Sequence, residues 1–152
     1  MRRNRTWIFF SLLAILLLLS FSPQGELLDQ QYAEEINRVR EEHNLPDVHF
    51  DPGLQRLASY YSEVCAENGY INHDFIPPTK FAEKMTEFQI FGVVTELLAR
   101  APASEYSAEK IISALMNSPV HREGLLNPDR KIFGAAVTFK DRAAYVTIYL
   151  SK

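Results

Sequence analysis

The chain of 152 residues holds a single cysteine, Cys65. No intrachain disulfide can form, so packing and hydrogen bonds alone must hold the fold. Basic residues are also in short supply. Arg2, Arg3 and Arg5 are the only ionisable side chains before Glu26, which leaves 13 basic against 19 acidic residues from there on, a net charge of −6. That balance excludes nucleic acid, whose binding depends on basic side chains meeting phosphates. It also leaves no polybasic face for anionic lipid headgroups. No apolar run reaches the ~20 residues of a spanning helix. The longest, Trp7 to Phe21, is 15 residues broken by Ser11 and Ser20. Behind three arginines it reads as a secretory signal. An uncleaved N-terminal anchor is the alternative. Either way residues 1–25 are a targeting segment, and residues 26–152 are expected to form one domain outside the cytoplasmic membrane, secreted or in the cell envelope. Membrane contact is expected only through that segment. No cysteine lies near its end, so a lipid-modified N-terminus is not expected. Internal repeats and low-complexity stretches are absent.

What remains has clear periodicity. Tyr32, Ile36, Val39 and His43 recur at helical spacing, predicting a helix over 26–43. Val48 to Phe50 reads as extended. Asp51 and Pro52 then form a helix start, an N-cap followed by a first-turn proline. Leu54, Leu57, Ala58, Tyr61, Val64 and Cys65 are the expected buried stripe, which makes Cys65 an inert core thiol. Pro77-Pro78 is placed to open a helical turn through Met85. Ile90 to Thr95 reads as strand or extended, Glu96 to Ala99 as helical, and Ala101 to Ser104 as a loop. Ser107 or Ser104 caps the following helix, and Pro119 is expected to stop it. Phe133, Ala135, Val137 and Phe139, a turn at Lys140-Asp141-Arg142, and alternating Ala144, Val146, Ile148 and Leu150 form a C-terminal hairpin. Helices on both sides of a small antiparallel sheet would bury these faces. The expected class is α+β, an α-β-α layered sandwich.

The stretch Ser118-Pro119-Val120-His121-Arg122, with Leu125-Leu126-Asn127-Pro128 and then Ile132 to Val137, resembles the bacterial, disulfide-free branch of the CAP superfamily. This is the cysteine-rich secretory protein, antigen 5 and pathogenesis-related 1 group, also called SCP-like extracellular domains. Asn37 and Arg40 match its N-x-x-R helix, and Asn44 to Asp51 match the segment that follows. The resemblance implies a cavity of two histidines and two glutamates. His73, Glu96 and His121 fall at three of those positions; the second glutamate has no counterpart. Ser118 is counted with the cavity. The resemblance further implies zinc or another divalent metal on His73, His121 and Glu96, and a small molecule, lipid or envelope component as partner. Binding is the expected function. A metal-dependent hydrolase of peptide or cell-wall material and an interaction domain with a vestigial cavity are the rivals. A serine hydrolase is a weaker reading, because Ser118 lacks a Gly-x-Ser-x-Gly elbow. His43 and His49 are assigned to structure. A chain beginning at Glu26 is expected to fold cooperatively with helical circular dichroism; an unfolded spectrum would contradict this domain boundary.

Overall fold

The last strand explains most of the architecture. In the computed structural model, which describes residues 23–152, every residue of β4 (Ala143–Ser151) is buried. A strand buried on both faces must be covered by helices on both sides. Val146, Ile148 and Leu150 enter one core with Tyr32, Ile36 and Val39 of α1 (Pro23–Glu41) and Ile111, Ile112 and Leu115 of α4 (Ala108–Met116). Tyr145 and Tyr149 enter the other with Leu54, Leu57, Tyr61 and Cys65 of α2 (Pro52–Asn68), and Phe81 and Met85 of α3 (Pro78–Glu87) pack against it. The layered α-β-α class therefore holds. The targeting segment, apart from its last residues, lies outside the described residues. Helix α1 starts three positions before Glu26, at Pro23.

The sheet runs β1 (His49–Phe50), β3 (Ile132–Lys140), β4, β2 (Thr95–Pro102). It is mixed, not purely antiparallel, because β1 lies parallel to β3 through His49–Ile132 and Phe50–Phe133. Asp141 and Arg142 take φ of 49° and 63°, giving a two-residue hairpin turn whose twist suits the flanking strands. Asp51 caps α2 as expected, accepting from the Leu54 N–H at 2.8 Å, and Ser107 caps α4. Gly134 lets α2 lie directly on β3: a Cβ there would collide with the backbone of Leu54 and Gln55.

Several local expectations change. Glu96 to Ala99, read as helical, belongs to β2, which pairs along its whole length with β4. Those eight ladder partners outweigh the helix preference of Glu-Leu-Leu-Ala, which is worth only tenths of a kcal/mol per residue. Ala101 and Pro102 continue that strand instead of starting a loop. Pro119 does more than end α4: it opens α5 (Pro119–Leu125), where its missing N–H costs nothing. His43 leaves the buried face of its helix; it is exposed beyond the last turn, with Nδ1 on the Val39 carbonyl at 2.8 Å.

Two residues of α1, one turn apart, fasten the connections. The Asn37 amide clasps Val48 on both sides, accepting from its N–H at 2.9 Å and donating to its carbonyl at 3.1 Å. Arg40 is fully buried, and among the described residues no carboxylate pairs with its guanidinium. It donates instead to the carbonyls of Pro46 at 2.9 Å, Leu125 at 2.8 Å, Asn127 at 3.1 Å and Arg130 at 3.2 Å. Burial pulls its pKa down, with Asp47 opposing. Replacing Arg40 by Met would leave four carbonyls without their donor. A loss of about 3–5 kcal/mol in urea unfolding is expected, the scale of breaking a buried charged network; a loss under about 1 kcal/mol would show that the carbonyls find other partners.

Candidate functional site

The site lies at the β2 edge of the sheet, on the face that α2 covers. Helix α2 ends at Gly69, whose φ of 79° suits a left-handed cap. The loop that follows is pinned by the Tyr61 hydroxyl, which donates to the Asn72 carbonyl at 2.9 Å. His73 comes next. Its Nδ1 meets Glu96 Oε1 at 2.6 Å, and the Tyr149 hydroxyl donates to Glu96 Oε2. Glu96 and Tyr149 are direct partners in the β2–β4 register, so their side chains leave the same face together. Tyr61 meets the Tyr149 ring edge-on at 6.5 Å. His121 arrives on α5, which rides close on β2: a Cβ at Gly124 would lie 2.8 Å from Thr95 Cγ2. The two histidines, far apart in sequence, line one cavity of about 220 Å³ with Ile71, Asn72 and Leu98.

The electrostatics follow from burial. The His73 side chain is 55% exposed and that of Glu96 only 16%. Burial pushes the Glu96 carboxyl up, while the bonds from Tyr149 and His73 pull it back and Asp74 adds to the rise. Tyr149 is raised strongly, by burial first and then by Glu96. His121 is lowered by burial and by His73, which favours its neutral ring. With Nδ1–H given to Glu96, a neutral His73 ring presents Nε2 as an acceptor.

His73, Glu96 and His121 are thus brought together, though not as equals. Glu96 spends one oxygen on His73 and the other on Tyr149 and stands behind the imidazole. Ser118 precedes the first turn of α5, lines neither cavity that His73 borders, and its side chain makes no capping bond. The expected metal fits this arrangement poorly. Among the described residues no group of three or more His, Cys, Asp or Glu is arranged to hold a metal ion. With Glu96 committed, two imidazoles remain, short of the three protein ligands of an open zinc centre. Tyr149, Tyr61 and Asn72 join the site beyond the residues that the sequence indicates. Naming Tyr149 as the partner of Glu96 requires β2 to be read as a strand. Glu96 holds its proton to higher pH folded than unfolded. Its favourable contribution is therefore fully present below the unfolded pKa and is lost as pH rises through the folded one. Removing the Tyr149 donor should widen that window. In Tyr149→Phe, a carbon-13 titration of Glu96 is expected to show a higher pKa than in the parent chain; an unchanged or lower value would mean that the hydroxyl does not hold the carboxylate.

Comparison with known proteins bears on the family and the fold. The family model described as the cysteine-rich secretory protein family, CAP, matches residues 33–150. An uncharacterised protein of Borreliella burgdorferi is 30% identical over 100 residues, 66% of this chain and 62% of that protein. The match thus spans less than two thirds of that relative. An outer surface protein of Borrelia burgdorferi superposes with a TM-score of 0.66 at 26% identity, covering 80% of this chain and 88% of that one. An extracellular protein with an SCP domain from Bacillus anthracis shares the fold at a TM-score of 0.63 and 23% identity, over 87% of this chain and 44% of that one. NaASP2, whose structure was solved with Zn²⁺, does so at 0.62 and 12% identity, over 85% of this chain and 82% of that one. Spanning nearly the whole described domain, the match establishes that the chain belongs to the CAP family.

Proposed function

We propose that this chain is a binding domain that works outside the cytoplasmic membrane and holds a small ligand between the Asn72-His73 loop and α5. The observation that carries the reading is that His73 and His121, from separate segments, line one cavity. Such convergence of a few polar groups on a partly apolar hollow is the usual form of a ligand site. Exported action is supported by the basic and apolar N-terminal sequence and by the similarity to outer surface and extracellular proteins. Binding is favoured over hydrolysis because both oxygens of Glu96 are engaged, one by His73 and the other by Tyr149, which leaves it no free base. The test is to purify the full chain from the cell envelope, extract it with organic solvent and analyse the extract by mass spectrometry. A small molecule should accompany the parent chain and be depleted from a His73→Ala, His121→Trp double variant with unchanged circular dichroism. Identical extracts from the two would sink the reading.

A further inference from the structure

Helix α1 leads back to one particular end of the sheet. Its last turns lie by the start of β3, where Arg40 meets the carbonyls of Asn127 and Arg130. Its earlier turns lie by the end of β3. There the Tyr106 hydroxyl donates to that of Tyr32 at 3.3 Å, and the Tyr106 ring stands edge-on to Phe139 at 5.2 Å. Helix α1 therefore runs antiparallel to β3, and its first residues reach the hairpin end of the domain. Two large apolar side chains are left open there, Leu27 at 56% exposed and Phe139 at 55%. Lys140 and Arg142 follow Phe139 with Asp141 between them, too little positive charge for a polybasic patch.

The sequence before α1 says what meets this end. The apolar run ends at Phe21 and the helix begins at Pro23, with only Ser22 between them. Two peptide steps span at most about 7 Å. The helical rise from Pro23 to Leu27 adds about 6 Å. Leu27 is thus tied to within about 13 Å of the end of the apolar run. A helix of that run's length would cover about 22 Å, short of the ~30 Å hydrocarbon core of a bilayer. Such a deficit is met by local thinning or by the flanking residues, and both bring the nearest end of the domain to the lipid.

We infer that the apolar run is retained as an anchor, and that the hairpin end of the folded domain rests on the outer face of the cytoplasmic membrane through Leu27 and Phe139. The contact is apolar, made by two side chains that otherwise face water. It also fixes the orientation of the domain. Pro102 pairs with Ala143 at the hairpin end, and Glu96 lies six positions earlier on β2. At the rise of a strand that is about 20 Å. The cavity that His73 and His121 line is therefore held clear of the lipid.

The test reads tryptophan fluorescence from the full chain in phosphatidylcholine vesicles, with and without bromine on the acyl chains. Trp7, the sole tryptophan, is replaced by Phe. A reporter is then placed by Leu27→Trp, by Phe139→Trp or by Phe91→Trp. Phe91 is exposed at the opposite end of the sheet, where the neighbouring Val93 carbonyl accepts from the Ser151 hydroxyl at 3.1 Å. The reporters at 27 and 139 should emit at shorter wavelength in vesicles and lose emission to brominated lipid. The reporter at 91 should do neither. Adding Leu27→Asp to the Phe139→Trp chain should restore much of the lost emission with unchanged circular dichroism, because an apolar contact needs both side chains and a tether alone does not. Equal quenching at 139 and 91, or quenching at 139 that ignores Leu27→Asp, would overturn the inference. So would a chain purified from the cell envelope whose mass shows that it begins beyond Phe21.

Discussion

The buried guanidinium of Arg40 is the contact on which the geometry of the site rests. Its four carbonyl acceptors belong to the turn after α1 and to the segment from Leu125 to Arg130, which joins α5 to β3. One side chain thereby ties the end of the first helix to the end of the helix that carries His121. A chain without disulfides needs such a tie, because nothing covalent holds α5 against the sheet. Arginine suits this position because its fixed fork presents several donors to several carbonyls at once, and it stays charged when buried. Asn37 does the same one turn earlier for the approach to β1. Both residues sit on one stretch of α1, so a single helix organises both ends of the connection.

The second constraint is the register of β2 on β4. Placing Glu96 opposite Tyr149 puts a carboxylate and a phenol side by side beneath α2. Each then satisfies the other in a place where either alone would be costly to bury. The phenol is flanked by Tyr61 and Phe81. The carboxylate has one oxygen left for His73, which fixes the ring and turns its second nitrogen outward. The order of dependence runs from ladder to carboxylate to imidazole.

How much of this the sequence revealed depended on how local the cause was. The α2 start at Asp51-Pro52 and the C-terminal hairpin were legible because capping and period-2 alternation are decided within a few residues. His121 stands in the motif that carries the family resemblance, and His73 was indicated by the resemblance alone. Strand β2 was not, since Glu96-Leu97-Leu98-Ala99 prefers helix locally and becomes strand only through pairing with a distant part of the chain, Val146 to Tyr149. Without that strand nothing in the sequence places Tyr149 against Glu96. Pro119 ends one helix and pre-shapes the next, and only the first effect follows from the local sequence. The parallel pairing of β1 was out of reach because a two-residue strand carries no alternation to read.

The hairpin tip bears on how such a chain can diverge. Asp141 and Arg142 form the shortest turn that joins β3 to β4, with both residues in the left-handed region. Side chains on a strand change face with every single-residue shift of register. A one-residue insertion at this tip, if taken up by slippage of β4, would send Ile148 or Leu150 toward Glu96 and bury the Tyr149 hydroxyl in the opposite core. The identity of the turn residues is therefore free to drift among those that accept positive φ, while its length is not. Among related chains, a change in the length of this loop would mark the point where the cavity chemistry is lost, even though the loop lies at the far end of the strands from Glu96.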